Sequence, residues 1–369
     1  MKKSHLILAA LSLAALSPFV HAQGVTLPNA SPRATVSQIV GITKVGVDYS
    51  RPSVNNRPVW GQLVPYGFNN LGFGTSTAAP WRAGADMNTV VTFEHDVKVG
   101  GQPLAAGSYG LSMAVADTGK VTLIFSRDTH KWGSFFYEPA NDALRVETQW
   151  EDAPHMEQLA YEFSDVKKDS AVLALRWEKK RIPIALAFDT DAIVVANLKR
   201  ELRGNKQFQF QSWLGASNYL LTNNGDLNLA LEWADAAIAG QFVGQRNFAT
   251  VSNKVAVLEK MGRGTEAEPL YAELMNTGTA LQVHGLGRQL LAAGKKERAL
   301  AVFKKNAERH PGVWPTNYGL ARGLSAMGEY PAALEALLKA QQEIPAGDTV
   351  NANAIKANIE KLKAGQDIN

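Results

Sequence analysis

Between residues 49 and 86 the chain gathers three arginines, two tyrosines and two tryptophans: Tyr49, Arg51, Arg57, Trp60, Tyr66, Trp81 and Arg82, with Asp86 at the end. Guanidinium forks bind carboxylate or phosphate and also lie on aromatic faces, so this composition suits recognition of something planar, anionic or sugar-like. The same side chains equally suit the bracing of a long loop, where arginines satisfy backbone carbonyls and aromatic rings supply a small core. Arg51 leans towards the bracing role, because Pro52 holds its backbone extended at a strand end. The reading is therefore a candidate ligand site made of these eight residues, with thermal stability of the arginine variants as the property that separates the two roles.

Other chemistry is thinly supported. Gly74-Thr75-Ser76-Thr77-Ala78 approximates a nucleophile elbow, but it lies in a Gly/Ser/Thr-rich stretch and reads as a loop tip. Asp189-x-Asp191 has Ile193 where a paired-aspartate phosphotransfer site needs a hydroxyl, so helix capping is the better account. His95, His130, His155, His284 and His310 show no helical metal-ligand spacing, and no dinucleotide or P-loop glycine pattern occurs. No metal, no cofactor and no catalytic residue are expected. If an enzyme were present, hydrolysis of an anionic or sugar-containing substrate at Arg51, Arg57, Trp81 and Arg82 would be the chemistry, with Asp86 or Glu94 as base.

Two kinds of element must position these residues. Residues 34–188 carry short runs with two-residue alternation, at 43–49, 89–93, 108–115, 121–126, 143–150, 159–163, 171–177 and 182–188. Turn signals separate them at Gly100-Gly101, Asp117-Thr118-Gly119, Asn141-Asp142 and Glu178-Lys179-Lys180. This spacing predicts an antiparallel β-sandwich or jelly-roll-like domain, with Trp132, Trp150 and Trp177 in its core.

After residue 188 the period becomes helical. Gly225/Ala230, Gly262/Ala267, Gly294/Ala299 and Gly328/Ala333 repeat a glycine that ends one helix and an alanine that lets the next approach, at intervals of 37, 32 and 34 residues. A connector helix from 190 to 203 should lead into pairs at 207–223 and 226–240, 246–261 and 264–276, 279–293 and 295–309, 313–327 and 329–343. A capping helix at 347–364 should close the array. Leu286-Gly287, Ala299, Phe303 and Pro311, then Leu320, Ala333, Leu337, Ala340 and Pro345, resemble tetratricopeptide repeats. Such a solenoid would hold a protein or peptide partner on its concave face.

Residues 1–22 read as a signal peptide, with Lys2 and Lys3, an apolar run from Leu6 to Val20 and a Val20-His21-Ala22 cleavage site. The expected domains are thus 1–22 leader, 23–190 β domain, 191–206 connector and 207–369 repeats. The location is periplasmic or secreted, with no membrane span after cleavage. Removing the two leader lysines from the 38 basic residues leaves 36 against 34 acidic ones, near balance and interspersed, so nucleic acid is not expected as a partner. Cysteine is absent, which removes disulfide and thiol chemistry and a lipid anchor.

The ordered motifs Ser31-Pro32-Arg33-Ala34, Tyr49-Ser50-Arg51-Pro52, Trp60-Gly61-x-Leu63-Val64-Pro65-Tyr66-Gly67, Trp81-Arg82-x-Gly84-Ala85, Leu104-x-Ala106-Gly107-x-Tyr109 and Leu175-Arg176-Trp177-Glu178 resemble the secreted bacterial family called domain of unknown function 2911. The resemblance spans residues 30–190. It implies a leader and a β-rich domain, sometimes followed by helical repeats, and supplies no activity. Residues 68–80 look like an insertion, and Asp86 stands where the family tends to have Asn; whether Tyr66 and Trp81 stay neighbours is then the question for the structure.

Overall fold

The computed structural model describes residues 27–369 and divides the chain into two compact units, meeting between Thr190 and Asp191. The expected leader at 1–22 lies outside the described residues. No helix among the described residues is long and apolar enough to cross a membrane.

The first unit is built of ten strands: β1 Arg33–Val40, β2 Thr43–Ser50, β3 Thr89–Phe93, β4 Val97–Val99, β5 Gln102–Leu104, β6 Gly107–Val115, β7 Lys120–Ser126, β8 Asp142–Gln149, β9 Glu151–Ser164 and β10 Ser170–Ala187. They form two sheets, of order β1-β2-β3-β6-β7-β8 and β5-β4-β10-β9, and every pairing between these strands is antiparallel. Alternation decides which face is inward: Val45, Val47 and Tyr49 of β2 and Thr89, Val91 and Phe93 of β3 are buried every second residue. The second sheet adds Leu159, Leu173, Leu175, Trp177 and Ile182 to the interior.

Two expectations change. Glu178-Lys179-Lys180 is no turn; β10 runs straight through as one strand of 18 residues. The pairing with β9 shifts register on either side of Glu178, whose φ of 53° marks a bulge that keeps Trp177 pointing inward while the strand continues. β1, β4 and β5 were not anticipated, because half of β1 is polar and only its last residue is buried, while the other two are three residues long.

The second unit is helical: α1 Thr190–Glu201, α2 Phe210–Thr222, α3 Leu227–Ala239, α4 Phe248–Lys260, α5 Gly264–Thr277, α6 Ala280–Ala292, α7 Lys296–Arg309, α8 Trp314–Ala326, α9 Tyr330–Glu343 and α10 Thr349–Lys363. Gly262, Gly294 and Gly328 take φ of 74°, 73° and 80° at three helix ends. The next residue's N–H then reaches back five positions, as in Arg263 to the Leu258 carbonyl and Lys295 to that of Leu290, which closes the helix and turns the chain. In the first hairpin the left-handed residue is Asn224, φ 54°, rather than Gly225, since asparagine tolerates that region best after glycine.

Ala230, Ala267, Ala299 and Ala333 are fully buried, as close packing of the paired helices requires. Glycine has a second use deeper in the array. A Cβ on Gly287, Gly319 or Gly323 would fall within 2.4, 2.6 and 3.0 Å of the Phe303 ring, so two helices, α6 and α8, leave three side chains off to seat one phenylalanine.

Candidate functional site

In the first unit a cavity of about 350 Å³ opens beside the loop that follows Pro80. Trp81 reaches it from a backbone bridge to Met113 on β6, stacks on buried Trp177 at 5.9 Å and meets Trp60 edge-on at 5.9 Å. Its indole N–H donates to the Gly84 carbonyl at 3.2 Å, closing the loop on itself. Arg82 follows. Its guanidinium lies 5.3 Å from the Trp132 ring centre and 5.8 Å from that of Phe135, and donates to the Asp86 carbonyl at 2.9 Å. Burial pushes the Arg82 guanidinium below its usual range, and the nearby Asp86 charge opposes that only in part.

The loop is bent against the preference of its residues. Ala83 and Asp86 have φ of 50° and 57°, a region that costs an alanine or aspartate about 1 kcal/mol or more. Two hydroxyls hold it there: Tyr161 and Thr89 both donate to the Ala83 carbonyl at 2.9 Å. Gly84 fits between because a Cβ would stand 2.7 Å from the Thr89 hydroxyl. The Asp86 carboxylate accepts from the Asn29 side-chain amide at 3.0 Å.

Of the eight residues picked out in the sequence, the cavity unites Arg57, Trp81, Arg82 and Asp86. The other four go elsewhere. Tyr49 is buried against Tyr161, ring centres 4.8 Å apart. Arg51 braces the sheet, its Nε donating to the Leu159 carbonyl at 2.9 Å. Trp60 sits among Trp81, Trp150 and Trp177 with a buried indole N–H that has no partner. Tyr66 covers Gly61, where a Cβ would stand 2.7 Å from the ring. Asn69 and Ala79 exchange backbone bonds of 2.9 and 2.8 Å, so the insertion closes on itself; Pro65, not Tyr66, then lies near Trp81.

Trp132 corrects an expectation. It is 56% exposed at the cavity mouth, stacked on Phe135 at 5.7 Å, rather than in the core. The signal was its setting, since residues 127–137 have turn composition and no alternation. Ser76 is also not at a free tip: it is buried, and its N–H bonds the Phe135 carbonyl at 2.9 Å. Asp191 lies in the first turn of α1 and accepts from the Tyr219 hydroxyl at 2.6 Å, which helps push that phenol up to about 12 after burial. Glu94 bonds the Lys44 N–H at 2.9 Å.

The helical unit carries a separate groove of about 410 Å³ along α2, α4 and α6. Gly215, Ala249 and Ala256 keep its floor low, and the amides of Gln211, Asn218, Asn253 and Gln289 line it. Asn253 is held in place by the Ser217 hydroxyl at 2.7 Å. Among the described residues no group of three His, Asp or Glu side chains is placed to hold a metal ion.

Residues 31–186 match the family model described as Protein of unknown function (DUF2911). That span is the β unit, and the motif resemblance drawn from the sequence holds over it. No curated protein matches the chain. Among solved structures, YrrB, described as a TPR protein with an unusual peptide-binding site, is 16% identical, covering 46% of this chain and 88% of its own, with a TM-score of 0.27. MamA 41-end from Desulfovibrio magneticus RS-1 is 16% identical, covering 44% and 98%, with a TM-score of 0.26.

Proposed function

We propose that this chain is an exported, non-catalytic binding protein whose helical hairpins hold an extended segment of a partner protein. The observation that carries it is the groove on α2, α4 and α6. A peptide in extended conformation presents N–H and C=O groups along its length, and side-chain amides can donate to one and accept from the other. Small floor residues let a backbone approach closely enough for those bonds. Successive helical hairpins repeat the same face, so the contact can lengthen without any new architecture.

Random unstructured peptides displayed on phage and selected on the full chain should yield binders that fail on Ala256→Trp, because the indole fills the exposed floor of the groove. Binders unaffected by that change, or no binders at all, overturn the reading. Export rests on the leader at residues 1–22. The mature protein from the periplasm or medium should begin at Gln23, and a purified soluble form that keeps Met1 would contradict it.

A further inference from the structure

We propose that the cavity of the β unit binds a hydroxylated ring carrying one carboxylate, the chemistry of a uronic acid. This is independent of the peptide groove and concerns the other unit. A volume of about 350 Å³ lies within the range of small-ligand sites.

The charges lining the cavity set the ligand's charge. Arg57 and Arg82 bring two positive charges and Asp86 one negative, which leaves one positive charge to be matched. Arg57 spends its Nε and one terminal nitrogen on the carbonyls of Val54 and Ser53, at 3.0 and 2.6 Å, so it contributes mainly field. Arg82 is the better fork. One of its N–H donors serves the Asp86 carbonyl, the guanidinium has five, and a carboxylate takes two in parallel. Partial burial strengthens that attraction, since water competes less for the pair.

Asp86 sets the rest of the ligand. Its ionised carboxylate only accepts, and Asn29 occupies one oxygen. A purely hydrocarbon ring entering the cavity would strip water from the other oxygen and leave it unpaired, whereas a hydroxyl would donate to it. Trp132 and Trp81 then offer indole surface to the C–H face of the ring. The left-handed Ala83 and Asp86, fixed by Tyr161 and Thr89, fit a loop whose shape is maintained at a local cost, as happens at ligand clamps.

The test titrates the full chain with glucuronate, followed by tryptophan emission and by calorimetry, beside glucose, benzoate and inorganic phosphate. Glucuronate should saturate, with the other three at least about tenfold weaker. Arg82→Gln should weaken glucuronate about tenfold or more. Trp132→Ala should weaken it with no change in melting temperature, and it keeps the test decisive should Arg82→Gln fail to fold. Absence of glucuronate binding overturns the proposal. So does phosphate of equal strength, which would mean a bare anion site; benzoate of equal strength, an aromatic-acid site; glucose of equal strength, no carboxylate recognition; or unchanged binding by Trp132→Ala.

Discussion

The two units differ in where left-handed backbone falls on residues that carry side chains. In the helical unit the left-handed positions fall mainly on glycines at helix ends, Gly262, Gly294 and Gly328 among them, where they cost little and simply turn the chain. In the β unit glycines again take most of them, but Asn55, Asn56, Ala83, Asp86, Asp165 and Glu178 join them with side chains in place, and one of these, Asp86, lines the cavity. Repetition allows the cheapest residue at three of the four equivalent turns, with Asn224 the exception. The loop after Pro80, used once, keeps side chains at such positions and relies on neighbours such as Tyr161 to hold its backbone.

The largest test of this contrast is Phe303→Ala. Removing a fully buried ring from its three-glycine seat should cost roughly 3–5 kcal/mol, because glycines cannot fill the space left behind. The helical transition followed by far-ultraviolet dichroism should fall, while near-ultraviolet signals of the β unit keep their midpoint. One common transition that drops as a whole would show that the two units do not melt separately.

Next in size is a dependence on pH confined to the helices. His284 lies between Phe303 and Tyr318, and burial, aided by the charges of Arg288 and Arg322 and opposed by the Pro315 carbonyl, pushes its imidazole down to about 4. The folded value lies below the unfolded value of about 6.5, so the unfolded chain binds the extra proton. The neutral imidazole therefore supports the fold above about pH 6.5, and stability should decline between about 6.5 and 4, by on the order of 3 kcal/mol. Urea midpoints measured across that range should slope for the native chain and flatten for His284→Gln.

Within the β unit the arginines should separate. Arg51→Ala should cost about 1–3 kcal/mol, since it strips the half-buried Leu159 carbonyl of a donor. Equal ligand binding by the remaining folded fraction would confirm a bracing role, and a melting temperature unchanged from the native chain would refute it. The smallest effect belongs to Trp132→Ala, exposed at the cavity mouth, which should shift stability by less than about 0.5 kcal/mol. A larger loss in thermal melts would make Trp132 structural after all.

The helical unit was readable almost throughout, with α7 expected at 295–309 and found at Lys296–Arg309, because caps and close-packed alanines are local signals. The β unit was readable in outline. Its merged strand β10 was not, since Glu178-Lys179-Lys180 has turn composition and only the pairing with β9 turns it into a bulge. The site was half legible for a related reason. Residue type located Arg57, Trp81, Arg82 and Asp86, and the alternation of β2 with Val45 and Val47 would have turned Tyr49 to the core, but nothing local says that Arg51 turns to Leu159, because direction just past a strand end is set by distant partners.

The tryptophans of the β unit also form an optical arrangement. Trp60, Trp81, Trp150 and Trp177 are linked by ring-centre distances of 5.4 to 6.2 Å, so their transition dipoles couple and share excitation as one chiral chromophore. Trp132 instead stacks on Phe135 at the cavity mouth. Exciton dichroism of the β unit thus monitors the frame around the cavity, whereas the most solvent-sensitive emission among its own tryptophans belongs to Trp132 at the mouth.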